Sequence, residues 1–489
     1  MLYVIRFFPE ITIKTRPVRH RLIRALRRNL RILLRRIEPG ISVTGDWDIL
    51  EVETADDNKI INQRVLEVLM HTPGIALILP VEKQPLPDLD GIAAAVLQHY
   101  RAVLKGRTFA VRCKRQGVHD FRSGDVERHV GAVLLRETEA AGVNLTDPDV
   151  TVRVEARKNV LYVVRQQIRG LGGYPMGTQE PVLSLVSGGF DSAVSSYQCM
   201  RRGLQTHFVF FNLGGRQHEL AVKEVALYLW MKFGASHRVK FVSVPFEPVV
   251  NEIMQKVDSG HMGVILKRMM IRAADRIARE MRIRALVTGE AIAQVASQTL
   301  PNLSVIDRVT DLLVLRPLIV TDKQQIIDTA RAIGTEEFSA VVPEYCGVIS
   351  VKPTTHARRV RVEHEERQMD MSVFEAAVAA REVQMIDRVV EVVGQRDVEP
   401  TEYAQLPPGA AVIDIRHPDE QAQLPFALPL GDQGHELLSV PFFRLGAGFA
   451  DLDAARLYLL YCDKGMMSRL HASHLQDAGH KNVGVYRPA

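Results

Sequence analysis

The chain of 489 residues contains only four cysteines, at 113, 199, 346 and 462, and none of them has a C-x-x-C or Cys/His metal spacing. That excludes a secreted disulfide scaffold and a classical zinc module, so thiol chemistry points to catalysis before structure. There is no run of 18 apolar residues and no charged-then-apolar leader; neither a membrane span nor a signal peptide is expected, and the cytoplasm is the simplest location. A Walker A lysine is also missing, because Ser187-Gly188-Gly189 runs on into Phe190-Asp191-Ser192 and not into Gly-Lys. What is present is ordinary for a globular protein, at 46% hydrophobic and 24% charged. The length suits two to four domains.

The charge is unevenly spread. Residues 1–50 hold eleven Lys or Arg against four Asp or Glu, whereas residues 400–489 hold seven against ten. A polyanion partner is therefore expected for the front of the chain only.

The chain is organised around Leu183-Ser184-Leu185-Val186-Ser187-Gly188-Gly189-Phe190-Asp191-Ser192. An apolar strand runs into a glycine turn and then a helix that closes with Arg201, Arg202 and Gly203. At a helix N-terminus the free N–H groups and the positive dipole end favour an anion, and the glycines let the backbone approach it closely. Ser187 and Ser192 offer hydroxyl donors there. Ser-Gly-Gly-x-Asp-Ser resembles the pyrophosphate loop of ATP pyrophosphatases, which split ATP between the α and β phosphates.

Ahead of that loop, the pattern predicts strands over 2–8 and Ile11–Lys14 and a helix over 16–37. Its apolar stripe is Leu22, Leu26, Leu30, Leu33 and Ile37, with Arg19, Arg24, Arg27, Arg28, Arg31 and Arg35 on the other faces. A strand over 48–53 closes a small α+β unit near residue 60. A second unit to about 170 carries helices near 61–71, 90–104 and 125–140 and strands near 107–114, 150–155 and 160–167. In Thr108 to Phe121, apolar residues alternate with Arg112 and Lys114, followed by Arg115. This segment resembles a THUMP domain, an RNA-binding module, and Cys113 within it is read as structural. The connector Ile168 to Pro175 is rich in glycine and marks a boundary.

Beyond it strands and helices alternate: strands at 182–186, 206–211, 239–244 and 284–289, and helices at 192–202, 217–233, 247–256, 263–279 and 323–333. That order implies a doubly wound parallel sheet whose ligand lies at the carboxyl ends of the strands. Gly289, Gln294 and Gln298 follow one such end. Lys267 and Arg268 are expected on a solvated helix face, and Asp322 as a helix cap. Pro343-Glu344-Tyr345-Cys346-Gly347 places a cysteine in a turn, and Thr355 to Val393 reads as a helical arm with Glu363, Glu365 and Glu366 solvated. From about 400 a last small domain has strands at 411–416 and 457–461. Cys462 then opens a loop of six residues before a helix, where loop amides and dipole are expected to lower its thiol pKa. This stretch, with Asp414-Ile415-Arg416, resembles a rhodanese.

Taken together, Ser187–Ser192, Leu266–Met270, Val287–Ala291, Pro343–Gly347 and Cys462–Arg469 resemble the long form of the tRNA uridine 4-sulfurtransferase family. The resemblance implies an α/β multidomain fold. It comprises an N-terminal ferredoxin-like unit (1–60), THUMP (61–170), an ATP pyrophosphatase (PP-loop) domain (176–350), a helical linker arm (351–400) and a rhodanese-like domain (401–489). It implies ATP held by Leu185, Val186, Ser187, Gly188, Gly189, Ser192, Lys267, Gly289 and Gln298, with Mg²⁺ as the accompanying ion and no resident metal site in the protein. Catalysis would fall to Asp191, Lys323, Cys346 and Cys462, the two cysteines closing a disulfide, and tRNA phosphates to Arg19, Arg24, Arg27, Arg28, Arg112, Lys114 and Arg115. Implied partners are tRNA, a cysteine desulfurase, a thiazole sulfur-carrier protein, a reductant and a second subunit in a homodimer, with no membrane. The competing readings are an ATP-dependent amide or amidino ligase that shares only the phosphate loop, and a non-catalytic tRNA-binding or sulfur-carrier protein.

Overall fold

The computed structural model describes residues 1–45, 47–55, 58–340, 352–389, 400–428, 435–463 and 465–488. The chain divides into two compact units, Met1–Pro175 and Met176–Ala489, at the glycine-rich connector.

In the first unit the order is β1 (Leu2–Phe7), α1 (Arg16–Leu34), β2 (Ser42–Gly45), β3 (Leu50–Glu53), α2 (Lys59–His71), β4 (Ile75–Pro85), α3 (Leu89–Tyr100), β5 (Thr108–Gln116), α4 (Ser123–Glu137), β6 (Val150–Arg157) and β7 (Val160–Val164). These strands make one mixed sheet, ordered β2-β3-β1-β4-β7-β6-β5. Strand β4 is not expected from the sequence, and it joins the two anticipated front domains by pairing with both β1 and β7. Its pattern hides it because side chains on both faces are buried: Ile75 and Ile78 pack with α1 and α2, while Leu79 and Val81 are buried on the other face beside Val4, Tyr162 and Val164 of the neighbouring strands. A strand buried on two sides loses its alternation. The strand expected over Ile11–Lys14 is instead a helical turn, Pro9–Thr12, which starts with proline where helices accept it. Helix α1 buries Leu22, Ile23, Leu26, Leu30 and Leu34.

The second unit begins with β8 (Gln179–Leu185), α5 (Phe190–Arg201), β9 (Leu204–Asn212), α6 (Gly215–Leu229), β10 (Lys240–Pro245), α7 (Glu247–Lys256) and α8 (Met262–Glu280). It continues with β11 (Ala285–Val287), α9 (Leu300–Asp307), β12 (Leu313–Leu315), α10 (Lys323–Ile333), α11 (Arg359–Glu366), α12 (Met371–Ala379) and β13 (Glu382–Met385). The sheet order is β12-β11-β8-β9-β10-β13, parallel except for the last pair. The chain winds from β8 outward through β9 and β10, then returns to the other side of β8 with β11 and β12. The winding therefore reverses beside β8, and a crevice opens at its carboxyl end.

The helical arm expected over 351–400 is not an arm in its described part. Val362, Phe374, Ala377 and Val378 enter the main core of the sheet, and β13 adds to the sheet edge. Glu365 and Glu366, expected in solvent, are 8% and 6% exposed. Glu366 is instead the partner of Arg268, itself 2% exposed, which also donates to the Val305 carbonyl. The expectation that Arg268 is solvated is thus corrected. Burying a guanidinium requires such a partner, because an unpaired charge there costs several kcal/mol, on the order of 3–5.

A five-stranded parallel sheet ends the unit. Its order is Glu402–Tyr403, β17 (Val483–Tyr486), β16 (Tyr458–Tyr461), β14 (Ala411–Asp414) and β15 (Glu436–Ser439), and α13 (Met466–Asp477) follows β16. His471 of α13 lies 3.4 Å from Glu224 of α6, whose carboxyl is pushed up to about 8 by burial. Among the described residues no helix is long and apolar enough to cross a membrane.

Candidate active site

Helix α5 starts at Phe190, two residues earlier than its apolar spacing suggests, so Asp191 lies in its first turn. Gly188 has φ +83°, a conformation that glycine adopts without strain. The Ser192 hydroxyl donates to the Gly189 carbonyl (3.1 Å) and accepts from the Ser187 N–H (3.2 Å), so it shapes the loop from inside. Ser187 is exposed at the mouth, and Val186 is buried beneath it. Gly289 closes the crevice from β11: a Cβ there would stand 2.6–2.9 Å from the Asp191 carbonyl and the Ser192 nitrogen, so only glycine allows the end of β11 to meet the first turn of α5.

Around this loop the charged side chains form two groups. Asp191 accepts from Lys323 Nζ at the start of α10 (2.8 Å) and from Gln294 Nε2 (2.8 Å). Asp322, at the N-cap of α10, makes no side-chain capping bond. In the second group Glu290 is 7% exposed and takes Lys267 (2.8 Å), Arg316 (2.8 Å) and the Thr288 hydroxyl (3.0 Å). Burial alone would raise the Glu290 pKa, but Lys267 and Arg316 outweigh it and hold the carboxyl below its usual range. Gln298 turns inward, its Oε1 accepting from the Ala291 N–H (3.4 Å). Sequence reasoning missed Arg316, whose signal was only an isolated arginine after a short strand, and gave Gln294 no role.

In the last module Cys462 is 8% exposed at the end of β16. The Ser468 N–H and hydroxyl both lie 3.4 Å from its sulfur. Helix α13 begins at Met466, closer than the expected six-residue loop. The lowered pKa expected for Cys462 is corrected: burial pushes the thiol up, and Asp463 adds to that, while the bonds from Ser468 and Met467 pull it down without prevailing. Arg416 is buried in a fork with Asp414 (2.9 and 2.6 Å) and reaches Asp463 (3.3 Å). Cys346, and with it the whole Pro343–Gly347 motif, lies outside the described residues. Cys113 and Cys199 are raised by burial to about 11 and about 12, which leaves both as thiols.

The basic residues of the front unit split by geometry. Arg19 is committed within the fold, with Nη2 on the Trp47 carbonyl (2.6 Å) and its guanidinium 4.1 Å from the Trp47 ring. Arg27 donates to the Gly45 carbonyl (3.1 Å), Arg112 to Leu145 (2.6 Å) and Arg115 to Phe121 (2.8 Å). Arg24 and Arg28 are exposed on α1. Arg6, Arg112, Lys114 and Arg153 line a cleft of about 340 Å³ with Glu127 and Glu155.

Three family models match consecutive stretches: a THUMP domain over residues 87–164, the thiamine biosynthesis protein ThiI over 177–371, and a rhodanese-like domain over 399–487. A tRNA sulfurtransferase of Pseudomonas aeruginosa is 57% identical over 489 residues, covering 100% of both chains. The chain belongs to the tRNA sulfurtransferase family. A tRNA sulfurtransferase of Azotobacter vinelandii is 56% identical, again over 100% of both chains. The crystal structure of a 4-thiouridine synthetase–RNA complex with bound ATP superimposes with a TM-score of 0.68 at 27% identity, over 78% of this chain and 99% of that one. Within this family the ThiI match takes in the phosphate loop, Asp191, Lys267, Gly289 and Lys323, and the rhodanese match takes in Cys462.

Proposed function

We propose that the protein adenylates the uridine at position 8 of tRNA with ATP and replaces its O4 by sulfur carried on Cys462, giving 4-thiouridine. The observation that carries this reading is the convergence of Asp191 and Lys323 on an anion-binding loop, in a chain that also holds a cysteine at a rhodanese-like loop. The full-length likeness to tRNA sulfurtransferases and the ATP- and RNA-bound structural relative support the substrates.

ATP phosphates lie on the backbone N–H groups of Ser187–Ser192, with Leu185 and Val186 leading into the loop and Lys267, Gly289 and Gln298 around the nucleoside. Mg²⁺ would be brought by the ATP phosphates, with Asp191 as the protein carboxylate able to hold it, and would supply charge neutralisation there. The uridine O4 attacks the α-phosphorus, the bond to the β-phosphate oxygen breaks, pyrophosphate leaves with the electron pair, and the N3 proton passes to water. Lys323 stabilises the developing charge. A cysteine desulfurase loads Cys462 as a persulfide, whose outer sulfur attacks C4 and expels AMP. Attack of the Cys346 thiolate on Cys462 Sγ then frees the thiolated base and leaves a Cys346–Cys462 disulfide, which a dithiol reductant opens. Passing the same sulfur to a thiazole sulfur-carrier protein, a cytoplasmic setting and a homodimer complete the reading.

The tRNA is gripped by the basic front unit, and position 8 is turned out toward the loop. The test is 4-thiouridine formation on unmodified tRNA with ATP, cysteine and a desulfurase, with AMP measured alongside. Thiolation that requires Asp191, Cys346 and Cys462 supports the scheme. Adenylation with undiminished thiolation in the cysteine variants would refute the relay, and loss of activity in Cys462→Ala excludes a simple ligase.

A further inference from the structure

The segment from Thr288 to Gln298 leaves β11 beside the phosphate loop. It is held by bonds from Ala293 N–H to the Gln298 carbonyl (3.1 Å) and from Ile292 N–H to the Ile319 carbonyl (3.0 Å). At its centre Ala293 has φ +63°, a left-handed conformation that strains a residue with a Cβ and that clusters at active sites and ligand clamps. The next residue is Gln294, whose Nε2 donates to Asp191 Oδ2 (2.8 Å). A carboxylate only accepts, so the amide has one orientation: its NH₂ faces Asp191 and its Oε1 faces away. Gln294 is exposed, and its Oε1 has no protein donor among the described residues.

We infer that Gln294 determines specificity for the target base: Asp191 fixes its amide so that Oε1 accepts the N3–H of uracil. This rests on the reading that O4 of the base is adenylated at the loop. An O4 directed at the α-phosphate carries the adjacent N3–H past Asp191, where a positioned acceptor matches uracil. Cytosine has a lone pair at N3 and would set acceptor against acceptor. A site built to bond a substrate N–H rejects an analogue without it far better than one that only measures size.

The test is pyrophosphate release by the full chain with ATP on two tRNAs, one with uridine at position 8 and one with 3-deazauridine, which keeps O4 and replaces N3–H by C–H. The ratio of kcat/KM for the two is compared in the parent, Gln294→Ala and Gln294→Met. Intrinsic reactivity of the analogue is common to all three and cancels. The ratio is expected to be at least about tenfold larger in the parent than in either variant, with the KM for ATP unchanged. An equal ratio in all three overturns the role of Gln294 while leaving adenylation intact. Absence of tRNA-dependent pyrophosphate release by the parent on uridine-8 tRNA overturns both.

Discussion

Lys323 Nζ meets Asp191 Oδ1 at 2.8 Å, although 132 residues of chain separate them. The Lys323 side chain is 42% exposed, so the pair adds little to stability, about 1 kcal/mol at most. Under the proposed function its value lies in holding a cation at the mouth of the Ser187–Ser192 loop. Lys323→Ala and Asp191→Ala are expected to reduce AMP and pyrophosphate formation by about 10²-fold or more while moving the melting temperature little. Coupled pyrophosphate release and thermal melts check this; a large loss of Tm with retained turnover would contradict it.

The two proposed sulfur-handling cysteines should separate the half-reactions. Cys462→Ser is expected to keep tRNA-dependent pyrophosphate release and lose both AMP release and thiolation. After one turnover without reductant, peptide mass analysis of the parent should show residues 346 and 462 joined, and neither single variant should show that species.

Burial sets the pH response of Cys462. A raised thiol pKa means that the thiolate fraction grows about tenfold per pH unit from neutrality until the pKa is reached. Iodoacetamide labelling of the Cys462 peptide should therefore be slow at pH 7 and accelerate through pH 9. A rate already at its plateau at pH 7 would show a stabilised thiolate instead.

The front-end arginines should fall into two classes. Arg24→Glu and Arg28→Glu on the open face of α1 are expected to weaken tRNA binding and flatten its salt dependence without affecting folding. Arg19→Glu should destabilise the unit, since it removes the bonds to Trp47 and Asp48. Filter binding at several salt concentrations, together with thermal melts, distinguishes them.

Removing one partner of the buried pair should cost far more than removing both. Glu366→Gln is expected to destabilise the second unit by about 3 kcal/mol, and Arg268→Met with Glu366→Leu by much less. Urea unfolding of the full chain provides the comparison, and equal losses in the single and double variants would refute the pair's role.

The parts of this molecule that follow local rules were legible in its sequence. Ser187–Ser192 announces itself through glycine spacing and a helix behind it, and the alternating strands and helices gave the parallel sheet. Less accessible were features decided by distant chain. Strand β4 lacks alternation because side chains on both of its faces are buried, and Glu366 looks solvated until Arg268, 98 residues earlier, is placed against it. The pKa of Cys462 follows from how deeply the strand end is buried, a property that motif spacing does not contain. Gln294 could be assigned a role only after the left-handed turn at Ala293 showed where it points.

The core that supports the phosphate loop is completed by residues 359–385, long after the loop itself in the order of synthesis. A ribosome-bound chain that has emerged only through α10 carries Arg268 without its carboxylate and β10 without its edge partner. The nucleotide unit can therefore close only when most of the chain has been made, and its folding comes shortly before that of the module that carries Cys462.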